Sequence, residues 1–87
     1  MQAEKIKLQK TLAKIIKKLR NKKSITQLAN EIDLSKSVWF NLEKGERDIQ
    51  ISTFWRIAEG LDIKPSDLVK EIENQLGEDF SFIENEK

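Results

Sequence analysis

The chain has 87 residues and a net charge of +1, which allows one small domain with a limited core. It has no Cys, which excludes disulfides and thiolate metal sites, and no His, the commonest general base and metal ligand. No apolar run is long enough for a signal peptide or a membrane span, so we expect a soluble, cytoplasmic protein.

The small net charge hides a strong asymmetry along the chain. Residues 1–47 hold twelve Lys or Arg and five Asp or Glu, a net charge of +7, whereas residues 48–87 carry −6. This asymmetry indicates an anionic partner for the first half. For the first helix alone, the alternative is a lysine-rich face that is merely solvated.

One Pro and three Gly predict helices joined by short turns, with no sheet. Helix 1 is predicted at about 3–21, because apolar residues recur there at helical spacing between lysines. Its predicted buried stripe is Leu8, Leu12, Ile15, Ile16 and Leu19.

Helix 2 is predicted to begin after Ser24, a favourable N-cap residue. Gln27, three residues later, completes a capping box in which each side chain bonds the backbone N–H of the other residue. The helix is expected to end near Asp33, and its inward side chains are Leu28, Ala29 and Ile32.

Helix 3 is predicted to follow the N-cap residue Ser35 and to end at Gly45 in a left-handed conformation. Leu34 and Trp39 are spaced to form a hydrophobic staple, and Leu42 also faces inward. The outer side is left with Lys36, Ser37, Phe40, Asn41 and Lys44.

Two further helices are predicted as the scaffold for this pair. Helix 4, at about 51–61, is expected to bury Ile51, Phe54, Ile57, Ala58 and Leu61. Helix 5 begins at Pro65, where the missing N–H costs nothing, and continues with the apolar residues Leu68, Val69, Ile72 and Leu76.

The pattern as a whole predicts an all-α, compact five-helix bundle that contains a helix-turn-helix. The bundle covers residues 1–77, with the helix-turn-helix at about 24–45. Residues 78–87 are acidic and are expected to form a flexible tail.

A short helix with polar residues near its N-terminus fits the major groove of double-stranded DNA. Lys36 can donate to guanine, Asn41 can bond adenine through two hydrogen bonds, and Ser37 suits either base. Phe40 and Val38 offer apolar contact to a thymine methyl group. The candidate phosphate contacts are Lys23, Ser24, Gln27, Ser35, Lys44 and Arg47.

Plainer interpretations remain open at this stage. The outer side of helix 3 can be a solvated surface, and Phe40 can contact a neighbouring side chain instead of DNA. Trp39 and Trp55 are interpreted as core or rim residues rather than as surfaces on which bases stack.

The run from Leu12 to Leu68 resembles the lambda-repressor-like helix-turn-helix family of Cro proteins, phage repressors and XRE regulators. The order LR, ITQ, LA, LSKS and LEKGER carries this resemblance, with Ile51, Phe54, Ile57, Ala58 and Leu61 matching the fourth helix. The resemblance implies that Lys36, Ser37 and Asn41 contact bases. It also implies a buried, structural ion pair between Arg20 and Glu43.

The chain departs from the family pattern at several positions. Two acidic residues usual before Leu28 are missing, which places Ile25 where a polar phosphate contact is common. Asp33 replaces the glycine expected in the turn, and strain is expected there. Phe40 lies at an outward position that is normally small or polar.

A dimeric, sequence-specific regulator, most simply a repressor at a palindromic operator, is the first functional hypothesis. A bundle this thin leaves part of helix 5 uncovered, which favours a homodimer through Val69, Ile72 and Leu76, although these can be ordinary core residues. The alternative is a protein-interaction module, such as an antitoxin, whose tail binds a partner protein. We expect no enzymatic activity, cofactor, metal or small-molecule ligand.

Overall fold

Five helices make up the fold. The computed structural model describes residues 2–21 and 23–83, in which there is no strand, so the prediction of an all-α fold is confirmed. The helices are α1 (Gln2–Arg20), α2 (Ile25–Glu31), α3 (Lys36–Glu43), α4 (Ile51–Gly60) and α5 (Pro65–Leu76). None of the described helices has the length and apolar character needed to cross a membrane.

Both short central helices begin at a serine cap. The Ser24 hydroxyl oxygen accepts a hydrogen bond from the backbone N–H of Gln27 at 3.0 Å. The Ser35 hydroxyl oxygen accepts one from the backbone N–H of Val38 at 3.2 Å. These bonds satisfy N–H groups that have no partner within the helix, and they fix where α2 and α3 begin.

The core is shared by all five helices. The largest fully buried side chains are one from each helix, namely Ile16, Leu28, Trp39, Ile57 and Leu68. Each short helix therefore buries its apolar face only when the others are in place, and α2 and α3 depend on α1, α4 and α5 for stability.

Two residues predicted to be buried are exposed. Leu19 is 37% exposed and Ile51 is 74% exposed, so their assignment to the core was wrong. Leu19 lies two helical turns after the buried Leu12, and Ile51 lies two turns before the buried Ala58. Both therefore lie on the expected face of their helix. Helical spacing predicts the direction of a side chain, but both positions are at helix ends, where the neighbouring helices no longer cover that face.

The segment after α5 returns to the start of α1. The Lys7 ammonium lies 5.9 Å from the centre of the Phe80 ring, and the rings of Phe80 and Phe82 meet edge to face at 5.6 Å. Phe80 is half-buried. The predicted flexibility of the tail stays a prediction, and its residues 84–87 lie outside the described part of the chain.

Two glycines allow close approach between helices. At Gly45, where φ is +75°, a Cβ atom would lie 3.1 Å from the Lys10 Cα of α1. At Gly60, in the last turn of α4, a Cβ atom would lie 2.4 Å from the Ile32 Cγ2 and 3.2 Å from the Leu28 Cδ1. α2 therefore packs against α4 at a distance that only glycine permits at position 60.

We expect Gly60→Ala to destabilise the protein by ~1–3 kcal/mol, because the β-branched Ile32 cannot move its methyl group without a backbone shift. Helix propensity alone predicts the opposite sign, a gain of about 1 kcal/mol. Urea unfolding measures the difference. Glu59→Ala, at the exposed neighbouring position, is the control and should change stability little; a stabilised Gly60→Ala protein would contradict the packing described here.

Candidate nucleic-acid interface

The five outer residues predicted for α3 lie on one face of the helix. At about 100° per residue, Lys36, Phe40 and Lys44 form a row along the axis, with Ser37 and Asn41 beside it. Asn41 is half-buried and the other four are exposed. The opposite side of α3 holds the buried Trp39 and Leu42, so the outer face takes no part in the core.

Phe40 is the apolar side chain of this face. It is 47% exposed and lies outside the hydrophobic cluster. Val38, its predicted companion, is half-buried and packs against the core. Single exposed apolar residues are common on soluble proteins, so any assignment of Phe40 to a partner rests on its position on this face and not on its exposure.

An ion pair fixes α3 to α1. The Arg20 Nε donates to the Glu43 Oε2 at 2.5 Å, and Arg20 Nη2 donates to the Glu43 Oε1 at 3.0 Å. The side chains are 18% and 8% exposed. The hydrogen bond from Arg20 to Glu43 raises the pKa of Arg20 above its ordinary value.

Glu43 has a second partner within α3 itself. The buried Trp39 indole N–H donates to the Glu43 Oε2 at 2.6 Å. On the other side, Arg20 Nη1 donates to the backbone carbonyl of Lys23, at 2.9 Å, just before α2. One network thus joins the end of α1, the start of α2 and the end of α3, and it holds the outer face of α3 in a fixed orientation.

The bond between Trp39 and Glu43 was missed by the sequence analysis, although a signal for it exists. A buried indole N–H needs an acceptor, and residues four apart on a helix are neighbours. Glu43 is therefore the natural partner of Trp39 on spacing alone.

Arg56 is a second residue that the sequence analysis missed. Its Nη1 donates to the backbone carbonyls of Ile32, at 3.3 Å, and of Asp33, at 3.2 Å. Asp33 has the left-handed φ of +57° that its position in the turn predicts. Since 23 residues separate Arg56 from Asp33, no local pattern in the sequence indicates this contact.

The predicted phosphate contacts divide into two groups. Lys44, Arg47, Ser24, Ser35 and Gln27 are all exposed, and both serine hydroxyls can still donate while they accept from the backbone. Lys23 differs from these five residues because its ammonium group has partners within the protein.

The Lys23 ammonium donates to the Glu31 carboxylate at 2.9 Å and to the Gly60 carbonyl at 3.4 Å. The bond to Glu31 raises the pKa of Lys23. Lys23 is thus paired within the protein, and its assignment as a phosphate contact stays a prediction.

The predicted dimer residues of α5 also differ in accessibility. Ile72 is 8% exposed and belongs to the core of the protomer, because α5 turns this side chain inward beside Leu68. Val69 is 43% exposed and Leu76 is half-buried. A surface through α5 would therefore use Val69 and Leu76, with Ile72 beneath them.

The fold and this face define a helix-turn-helix domain, in which α2 and α3 form the motif and α1, α4 and α5 hold it. A family model described as helix-turn-helix matches residues 16–68, more than half of the chain. The chain belongs to this family, the Cro/C1 type found in XRE-type regulators, and the predicted resemblance is confirmed. A comparison with curated proteins gives no significant match. Membership implies a DNA-binding regulatory domain, a class that is generally not enzymatic.

We expect Glu43→Ala to destabilise the protein more than Arg20→Ala. Loss of Glu43 leaves the Trp39 N–H without its acceptor and leaves Arg20 with only the Lys23 carbonyl, whereas loss of Arg20 leaves the Trp39 bond intact. Breaking one side of a buried pair costs ~3–5 kcal/mol, and partial exposure of Arg20 places this pair near the lower end.

Urea unfolding of the two single variants and the double variant measures the coupling between them. Glu43→Gln is the matched control, because it keeps an acceptor for Trp39 and removes the charge. Strictly additive effects in the cycle would show that Arg20 and Glu43 do not stabilise each other.

Proposed function

We propose that the protein is a dimeric, sequence-specific DNA-binding repressor that places α3 in the major groove of a palindromic operator. The proposal rests on the outer face of α3. Lys36, Ser37 and Asn41 lie together there, on a helix that the ion pair between Arg20 and Glu43 joins to α1. Repression follows if the bound protein occupies the site that polymerase needs. Because its partner is DNA, we place the protein in the cytoplasm.

The base contacts are assigned from the chemistry of this face. Lys36 and Ser37, in the first turn, lie where a recognition helix enters the groove. Asn41, one turn further, suits adenine because its amide presents one donor and one acceptor side by side. Half-burial restricts the orientation of Asn41, so that less conformational entropy is lost on binding.

Phe40 is assigned to the methyl group of thymine. An aromatic ring cannot read hydrogen-bond donors or acceptors, but it excludes water from a neighbouring methyl group. Its place one turn after Lys36 on the same face sets it among the side chains that would face the base pairs.

The phosphate contacts are assigned to groups around this face. Lys44 and Arg47 follow the recognition residues, while Ser24, Gln27 and Ser35 lie at the starts of α2 and α3. Together with Lys23, which precedes α2, Lys44 and Arg47 give three positive side chains per protomer and six per dimer. Phosphate contacts of this kind position the protein without reading sequence.

A protein-interaction module remains the alternative function. Phe82 and Ile83 are 38% and 75% exposed, and exposed apolar residues in an acidic segment suit a partner protein. In that case DNA binding would be secondary, and its dependence on salt would be weak.

We expect binding to random duplex DNA to weaken with salt at a log–log slope of about −5 or steeper, because six cations displace counterions. Lys44→Ala should flatten the slope by about one unit for each lysine removed, hence about two for a dimer. Lys70→Ala, on the exposed side of α5, is the charge-matched control and should leave the slope unchanged. A flat dependence in the unaltered protein would exclude the repressor function and favour the interaction module.

We expect Phe40→Ala to weaken binding to the operator selected from a random duplex library by about 1 kcal/mol at one position, the free energy of burying one methyl group. Replacing the contacted thymine with uracil removes only the methyl group and should weaken binding of the unaltered protein. For the Phe40→Ala protein the same replacement should have little further effect. If uracil weakens both proteins equally, Phe40 does not contact that methyl group.

A further inference from the structure

The exposed side of α1 carries a row of lysines. Lys10, Lys14, Lys17 and Lys18 are all exposed, and they lie within about 100° of one another around the helix axis. From the first to the last of them α1 rises ~12 Å. We refer to these four residues as the α1 lysine row.

The α1 lysine row has no acidic partner within the protein. None of its four ammonium groups forms an ion pair in the part of the chain that the structure describes. Lys14 has Lys10 four residues before it and Lys18 four residues after it, and like charges at this spacing repel one another on a helix. An anion that extends along the row removes this repulsion, because it lies opposite all of these charges.

The row lies on the same side of the protein as the outer face of α3. Around α1, Arg20 lies between the buried stripe and the row. Around α3, Glu43 lies between the buried Trp39 and the outer Lys36. The ion pair of Arg20 with Glu43 joins these two edges, so both exposed faces are directed away from the core on the same side.

The two faces also approach each other at the end of α3. Gly45 follows Lys44, and a Cβ atom at Gly45 would lie only 2.9 Å from the Lys10 Cγ. The row therefore begins beside the last cation of α3 and extends the cationic surface along α1. Lys10 and Lys14 precede residue 16, where the match to the family model begins, so family membership does not imply this surface.

We propose that the α1 lysine row binds the phosphate backbone of the same DNA duplex whose bases α3 contacts. Duplex DNA fits better than an acidic protein segment, because the row continues the face to which DNA binding is assigned. One strand carries a phosphate every ~3.4 Å along the duplex axis, so a row ~12 Å long can face about three phosphates. The inference rests on the proposed function in one respect, because α3 must contact DNA for the row to meet the same duplex.

Salt titration of the full chain with the selected operator and with random duplex DNA tests the proposal. The double variant Lys14→Gln/Lys18→Gln removes two charges and keeps good helix-forming residues. We expect it to flatten the log–log slope by about two units per protomer, one for each lysine. Affinity at a fixed salt concentration should fall by the same factor for both DNAs, because phosphate contacts do not read sequence.

Lys64→Gln/Lys70→Gln is the matched control. It removes the same charge from two exposed positions in the acidic second half of the chain, and it should leave the slope unchanged. Circular dichroism should show both double variants folded, because all four altered side chains are exposed. If the α1 variant binds DNA no differently from this control, the assignment of the row to phosphate is overturned.

Ethylation of single phosphates in the operator locates the contact. An ethyl group removes the negative charge of one phosphate, so it should weaken binding of the unaltered protein wherever a lysine of the row lies. Some of these positions should lose their effect in the Lys14→Gln/Lys18→Gln protein. Identical interference patterns for the two proteins would overturn the proposed contact.

The outcomes separate this inference from the proposed function. If Lys44→Ala flattens the slope and the α1 variant does not, the row is not a DNA contact and the repressor function stands. If the α1 variant flattens the slope but no sequence is enriched from a random duplex library, the row is a DNA contact. The protein is then not a sequence-specific repressor.

Discussion

The bond network of Arg20, Glu43 and Trp39 is the interaction on which the domain depends. It joins the last residue of α1 to the last residue of α3 and, through the Lys23 carbonyl, to the entry of α2. Only a planar guanidinium can satisfy both carboxylate oxygens and a backbone carbonyl in this way. α2 and α3 have only 7 and 8 residues, and helices this short are not stable alone. The network supplies stability that helix propensity cannot give them.

The motif is also held from the side of α4. Gly60 lets α4 approach Ile32, and Arg56 bonds the carbonyls that end α2. The turn can therefore accept Asp33 in a left-handed conformation. The packing of Gly60 on Ile32 and the hydrogen bonds from Arg56 compensate for the strain of a non-glycine residue there. Contacts on two sides of the motif keep the outer face of α3 in one orientation, which the proposed base contacts require.

The surface to which we assign DNA binding agrees with the charge distribution along the chain. The outer face of α3 is cationic with one aromatic ring, which suits DNA. The excess of acidic residues after residue 47 disfavours contact between that half and phosphate, and so helps to set the orientation on DNA.

The sequence alone determined the five helices, the serine caps of α2 and α3, and the inward and outward faces of α3. These follow from local rules, because capping and helical spacing act within a few residues. Tertiary structure decided which of the expected core residues are covered. Leu19 and Ile51 lie on the inward face of their helices, but at the ends, where no neighbouring helix covers them. It also paired Lys23 with Glu31 and placed Arg56 at the end of α2. Such contacts depend on how helices meet in space, and spacing along one helix does not contain that information.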